Sequence, residues 1–181
     1  QVVISLAAGV TLRKLKKVLP QCKNLVRVMA NTPAKIQLGS FAYCTHEATN
    51  FRVDSFMKRM FNPIGFLLKL EEGDAFEAFS VASSAGVGFV FELMIYWQEW
   101  LEEHGMDSDT AQQLTLHTFQ GASALALQSL PQTVEELQAR VVSKKGITAA
   151  GLDSMRELEI ERLLRYSFEK SALRNRELAQ E

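Results

Sequence analysis

Apolar residues fall into two kinds of pattern along this chain. Up to Asp74, short runs apolar on both faces alternate with stretches of helical spacing; beyond it only the helical spacing remains. Gln1–Ala7 (QVVISLA) is the first such run and predicts a buried strand that ends at Ala8-Gly9. Thr11 stands as N-cap before a helix with Leu12, Leu15, Val18 and Leu19 on one face, stopped by Pro20. Leu25–Met29 (LVRVM) predicts a second strand, closed by Asn31-Thr32-Pro33. Strand, helix and strand within about thirty residues is the size of a βαβ unit, which builds parallel sheets with ligands outside the strand C-termini. A third strand at Phe41–Cys44, a helix Phe51–Phe61 capped by Asn50, a fourth strand at Gly65–Leu70 and a turn at Glu71–Asp74 follow.

The second half predicts helices alone. An apolar helix spans Gly86–His104, with Trp97 and Trp100, and closes at Gly105. Asp107 or Ser108 caps the next, which runs to about Ser129 with Leu114, His117, Gly121, Ala124 and Leu125 inward. Pro131 breaks it, and Thr133-x-x-Glu136 is a capping box for a short helix to Val142. After the loop Ser143–Ile147, Thr148 opens another short helix, and Leu158–Ala179 is a final amphipathic one. The fold class is therefore an α/β remnant of a Rossmann-type parallel sheet, residues 1–73, followed by an all-α domain, residues 74–181. The small-residue stretch Val81–Phe91 (VASSAGVGFVF) reads as the joint between them. A helix starting there would offer free backbone amides to an anion.

Composition narrows the function. Hydrophobic residues make up 47% and charged residues 23% of 181, as in soluble globular chains. The net charge of −1 and the lack of a basic run exclude general polyanion affinity and argue against nucleic acid as a partner. No stretch reads as long and apolar enough to span a membrane. Cys22 and Cys44 have no metal-ligand spacing, read as small hydrophobes, and fit a reducing, cytoplasmic setting. His46, His104 and His117 are scattered and read as structural; no metal is implied. Glu99, Glu102 and Glu103, like Glu157, Glu159 and Glu161, form solvated faces. The Leu, Ala and Phe density of Gly86–Leu127 predicts burial against a second copy of the chain. Three small-residue sites remain besides Val81–Phe91. Ala7-Ala8-Gly9 and Asn31-Thr32-Pro33 lie at strand ends, and Gly146-Ile147-Thr148 sets amides and a hydroxyl at a helix start. Lys144-Lys145 has two readings, neutralising an anion or forming a solvated turn.

The order of these motifs resembles the pyrroline-5-carboxylate reductase family. VVISLAAGVTLRKLKKVLP is similar to that family's "VVS-AAGV" strand and helix, and LVRVMANTPAKIQLG to its "VR-MPNTPA---G" block. HTFQGASALALQS resembles "T--GAA-ML", and VVSKKGITAAGLDSM resembles "V-SPGGTT--GL--L". The chain departs from the pattern in two loops. In the substrate loop SGSGPAY, Ser83 and Gly86 are kept, while Ala85, Val87 and Phe89 replace the second serine, the proline and the tyrosine. In SPGGTT, Gly146 and Thr148 are kept, while Lys144 and Lys145 replace the proline and one glycine. The family's first βαβ unit, with its glycine-rich pyrophosphate turn, has no counterpart here, and the opening inside a strand reads as truncation.

The resemblance implies hydride transfer from NADPH or NADH to the C=N carbon of 1-pyrroline-5-carboxylate, giving L-proline, in proline biosynthesis. It implies that the amides around Ser83, Ser84, Ala85 and Gly86, and those of Gly146 and Ile147, hold the substrate carboxylate. It implies that the Thr148 hydroxyl faces the ring nitrogen, that Ala8, Gly9, Asn31 and Thr32 border the nicotinamide, and that the helical half interlocks in a homodimer or higher homo-oligomer. The alternative is a divergent reductase-like protein that keeps fold and dimer but has weakened or altered catalysis.

Overall fold

The computed structural model describes residues 1–46 and 51–180. The N-terminal part holds a four-stranded sheet in sequential order: β1 (Val2–Ser5), β2 (Asn24–Ala30), β3 (Gly39–Thr45) and β4 (Gly65–Lys69). β1 pairs with β2 in parallel through α1 (Leu12–Val18), and β3 with β4 in parallel through α2 (Phe51–Phe61). β2 and β3 are antiparallel, so the sheet is mixed where the strand–helix alternation predicts a parallel one. The reason is the connection. Asn31–Leu38 holds only a 3-10 turn, Thr32–Ile36, and a parallel crossover needs about a dozen residues or more. Thr11 caps α1 as expected, its hydroxyl accepting from the Lys14 amide at 3.2 Å. The expected Asn50 cap of α2 lies outside the described residues.

Both faces of the sheet are covered. Val26, Val28, Phe41 and Tyr43 pack against Val53, Met57 and Phe61 of α2. On the other face Leu25, Met29, Ala42 and Cys44 pack against Leu12 of α1 and Phe76. Strand alternation places Arg27 on this second face, between Leu25 and Met29, with Cys44 as its cross-strand partner. Of the expected α1 stripe, Leu12 is buried and Leu15 packs against the same cluster, while Val18 and Leu19 are exposed.

Beyond the sheet come α3 (Asp74–Phe79), a π-helical turn (Ser80–Ala85) and α4 (Gly86–Glu103). These run as one helix, Asp74–Glu103, which is long and apolar enough to cross a bilayer. The expectation that no stretch reaches that length is corrected here, because the small residues 82–88 do not interrupt the helix as the sequence pattern suggested. Then follow α5 (Ser108–Gln128), α6 (Val134–Val141), α7 (Ile147–Glu157) and α8 (Ile160–Gln180). The chain forms two compact units. One holds residues 1–89 and the C-terminal part from Tyr166; the other holds Val90–Arg165.

Within the second unit, Asp107 caps α5 and accepts from the Thr110 amide at 3.0 Å. The capping box at Thr133 and Glu136 is formed in both directions. The inward face expected on α5 is corrected. Ala111 and Thr115 are buried and Ala124 is half-buried, whereas Leu114, His117, Gly121 and Leu125 are exposed. Trp97, Trp100, Leu116 and Leu127 are exposed as well, Leu127 at 71%. Among the described residues of the single chain, none covers these side chains.

Candidate functional site

Because β1 and β2 are parallel, their C-terminal ends meet one edge of the sheet, where Ala7-Ala8-Gly9 and Asn31-Thr32 emerge. Gly9 is buried with φ +71°, and a Cβ there would lie 2.9 Å from the Leu178 carbonyl oxygen of α8. Glycine is required at that turn for both backbone angle and space. Ala8 and Thr32 are exposed. Asn31 is engaged on both sides of its amide. Its Oδ1 accepts from the Ser40 backbone N–H at 2.8 Å, and its Nδ2 donates to the Ser83 hydroxyl and carbonyl at 3.3 and 3.4 Å.

Those last bonds bring two of the sequence-predicted groups together, Asn31 from the strand end and Ser83 from the small-residue stretch. Ser84 adds a second link, its hydroxyl donating to the Ala30 carbonyl at 3.0 Å. The stretch is not a helix start, as its composition suggests. Ser80–Ala85 is a π-turn inside a continuous helix, and the Gly86 N–H donates to the Val81 carbonyl. A row of free amides is thus not what this segment offers. Its offer is hydroxyls, with little side chain at Ala85 and Gly86. π-turns of this kind occur often at functional sites.

Beside this edge lies a charged cluster absent from the predicted site. Arg27 is 1% exposed; its Nη1 donates to Glu72 at 3.0 Å and Glu77 at 3.3 Å. The guanidinium stacks on Phe76, 4.7 Å from the ring centre. Glu72 also accepts from the Leu12 amide at 2.9 Å, and Glu77 from the Asn175 amide of α8. One buried cation thereby ties β2 to the start of α1, to α3 and to α8. The signal for it was present in the strand LVRVM, since an arginine inside a two-faced apolar run needs carboxylate partners. Nearby, burial first and then the Glu72 and Glu77 charges push the Cys44 thiol up to about 12, with Arg27 opposing. Cys44 is a buried, protonated thiol, consistent with its expected structural role.

In the second unit, the helix expected to open at Thr148 begins one residue earlier, at Ile147. Gly146 is the N-cap of α7, and Thr148 is its second helical residue. The Gly146 N–H donates to the Ser143 carbonyl at 2.9 Å, closing a tight turn in which Lys145 has φ +61°. A Cβ on Gly146 would collide with the Ser143 hydroxyl. Ile147 is 94% exposed and Thr148 half-buried. The Gly146 amide, which the resemblance assigns to the substrate carboxylate, is thereby taken by Ser143, and the first amides of α7 without an intrahelical partner are those of Ile147 and Thr148.

Residues 73–178 match the family described as "Pyrroline-5-carboxylate reductase dimerisation". The chain belongs to the pyrroline-5-carboxylate reductase family. Pyrroline-5-carboxylate reductase of Pseudomonas aeruginosa is 29% identical over 181 residues, covering 100% of this chain and 66% of its own. That of Pasteurella multocida is 26% identical over 178 residues, covering 98% and 65%. The chain thus spans just under two-thirds of the length of these relatives. Among solved structures, a pyrroline-5-carboxylate reductase from Coxiella burnetii superposes with TM-score 0.92 at 28% identity, over 98% of this chain and 66% of that one. The Plasmodium falciparum enzyme with NADP bound shares the fold, with TM-score 0.88 at 24% identity over 99% and 71%. The mixed sheet followed by helices is therefore the family's architecture.

Proposed function

We propose that this chain carries the later part of an oxidoreductase that reduces 1-pyrroline-5-carboxylate to L-proline with NADPH or NADH, in a cytoplasmic setting and as a homodimer or higher homo-oligomer. The observation that carries the reading is the pair of links from the β2 end to the π-turn, Asn31 to Ser83 and Ser84 to Ala30. They join the strand edge that a reductase uses for its cofactor to the loop that aligns with the family's substrate loop.

The strand edge fits the nicotinamide end of a dinucleotide. Ala8 and Thr32 expose only short side chains, and Gly9 keeps the turn flat against α8. When bound, the nicotinamide supplies the hydride. The chain's own residues do the rest. The amides of Ile147 and Thr148 at the start of α7 take the carboxylate, which a helix N-terminus favours. The Thr148 hydroxyl faces the ring nitrogen, where a proton is gained as the C=N bond is reduced. Ser83, Ser84, Ala85 and Gly86 form the second substrate loop. The replacements Ala85, Val87 and Phe89, with Lys144 and Lys145, favour a second reading, in which fold and dimer persist and catalysis is altered.

The test is oxidation of NADPH and NADH by the protein with 1-pyrroline-5-carboxylate, together with the Thr148→Ala variant. Turnover in the parent, and a variant that loses far more activity than stability, supports the first reading. Cofactor binding without turnover supports the second. A Thr148→Ala variant as active as the parent removes Thr148 from the chemistry.

A further inference from the structure

Three serines of the π-turn differ in where their hydroxyl protons go. Ser80 donates to the Phe76 carbonyl at 3.0 Å and Ser84 to the Ala30 carbonyl at 3.0 Å, so both protons are used. Ser83 is different. Its hydroxyl oxygen accepts from Asn31, and among the described residues no acceptor takes its proton. The direction of that bond is fixed. A backbone N–H can only donate, so Ser40 requires the oxygen of the Asn31 amide, and the NH2 group must point at Ser83. A hydroxyl that already accepts a hydrogen bond is also a better donor, because the two bonds polarise one another.

We propose that Asn31 is a positioning residue rather than a cofactor contact: held by the Ser40 amide, it fixes Ser83 as the hydroxyl donor of the π-turn for the carboxylate of the bound imino acid, while Ser84 pins the turn to the sheet. The proposal rests on the reading of 83–86 as a substrate loop. It assigns different work to two adjacent serines that the sequence treats alike. It also takes Asn31 out of direct contact with the nicotinamide, since both ends of its amide are committed to protein groups.

The test uses the protein with four variants: Asn31→Ala, Asn31→Asp, Ser83→Ala and the Asn31→Ala/Ser83→Ala double. The readouts are KM and kcat for 1-pyrroline-5-carboxylate, and the affinity for L-proline by calorimetric titration. Ser83→Ala and Asn31→Ala each raise KM and weaken L-proline binding by roughly tenfold, the factor expected for one hydrogen bond to a charged group. The double variant is no worse than Ser83→Ala alone, because Asn31 acts through Ser83. Asn31→Asp keeps the acceptor for the Ser40 amide, so the fold is retained if Asn31→Ala misfolds. Its carboxylate cannot donate to Ser83, and its protonated form can. KM and the L-proline affinity of this variant therefore return toward parental values as pH falls through the new carboxyl's titration, a dependence that a purely structural role would not produce.

Failure of the two readings is separable. If the parent does not reduce 1-pyrroline-5-carboxylate but binds L-proline with the variant pattern above, the reductase reading falls and the role of Asn31 stands. If the parent is active and Asn31→Ala keeps parental KM and affinity, or the double variant is additive, the positioning role is overturned. Absence of L-proline binding by the parent overturns it as well.

Discussion

Replacing Arg27 by methionine tests the charged cluster under the sheet. The side chain is 1% exposed, so its removal leaves Glu72 and Glu77 facing one another across the space it filled. Methionine retains most of the apolar stem, which limits the cavity, while the guanidinium's stacking on Phe76 is lost together with its ion pairs. Both carboxylates keep one further donor, the Leu12 amide and the Asn175 amide, which softens the loss without removing the repulsion. Breaking a buried ion pair from one side costs about 3–5 kcal/mol. For a chain of this size each kcal/mol is about 2–4 °C in melting temperature, so the variant should melt roughly 6–20 °C lower. The assay is thermal and urea unfolding by circular dichroism. Adding Glu72→Gln and Glu77→Gln should recover much of the loss, since no charge is then left unpaired. A single variant within about 1 kcal/mol of the parent, or a triple variant no better than the single, would refute this account.

Four further outcomes follow from other parts of the molecule. Lys145→Gly should stabilise the 143–148 turn by about 1 kcal/mol, because Lys145 occupies a left-handed backbone angle, and thermal unfolding measures it. Gly65→Ala should detach β4, because its φ is +153° and a Cβ would strike the Gly39 backbone; loss of protection at β3 and β4 amides in hydrogen exchange is the readout. Cys44 has its pKa raised in the folded state, from 9.0 to about 12, so its contribution to stability is complete below pH 9 and is lost as pH rises toward 12; alkylation of Cys44 at pH 9 at the rate of a free thiol would contradict this. Leu125→Asp on the exposed face of α5 should weaken self-association, which light scattering at micromolar concentration would show as a fall in mass, and a monomeric parent would remove the premise.

The sequence was most informative where a pattern had a local cause. Thr11, Asp107 and the Thr133–Glu136 box cap the helices they were expected to cap, because a cap is decided within four residues. The order of strands and helices was legible for the same reason. The direction of β3 was not, since it depends on a connection too short for a crossover. The stretch around Ser83 misled as to backbone, because glycine and serine permit a helix start without requiring one. Its pairing with Asn31 spans fifty-two positions and has no local signature. His117 and Leu125 looked inward because periodicity identifies an apolar face and not what covers it.

The π-turn also holds an extra residue without shifting the faces of the helix around it. Each helical residue advances the side chains by about 100°, and the wider turn holds one residue more than an α-helix would over the same rise. Deleting one residue between Ser80 and Ala85 would let the segment close into regular α-helix over the same rise, so the residues on either side would keep their faces, whereas a deletion within Asp74–Phe79 would turn the residues before it by about that angle. In the first case Phe76 keeps its place against Leu25, Ala42 and Cys44 and Glu77 its bond to Arg27, while the placing of Ser83 and Ser84 against the end of β2 is lost. The extra residue therefore serves what the turn presents and not the packing of the helix, and a one-residue deletion there should break the links to Asn31 and Ala30 at a smaller cost in thermal stability than a deletion in α3.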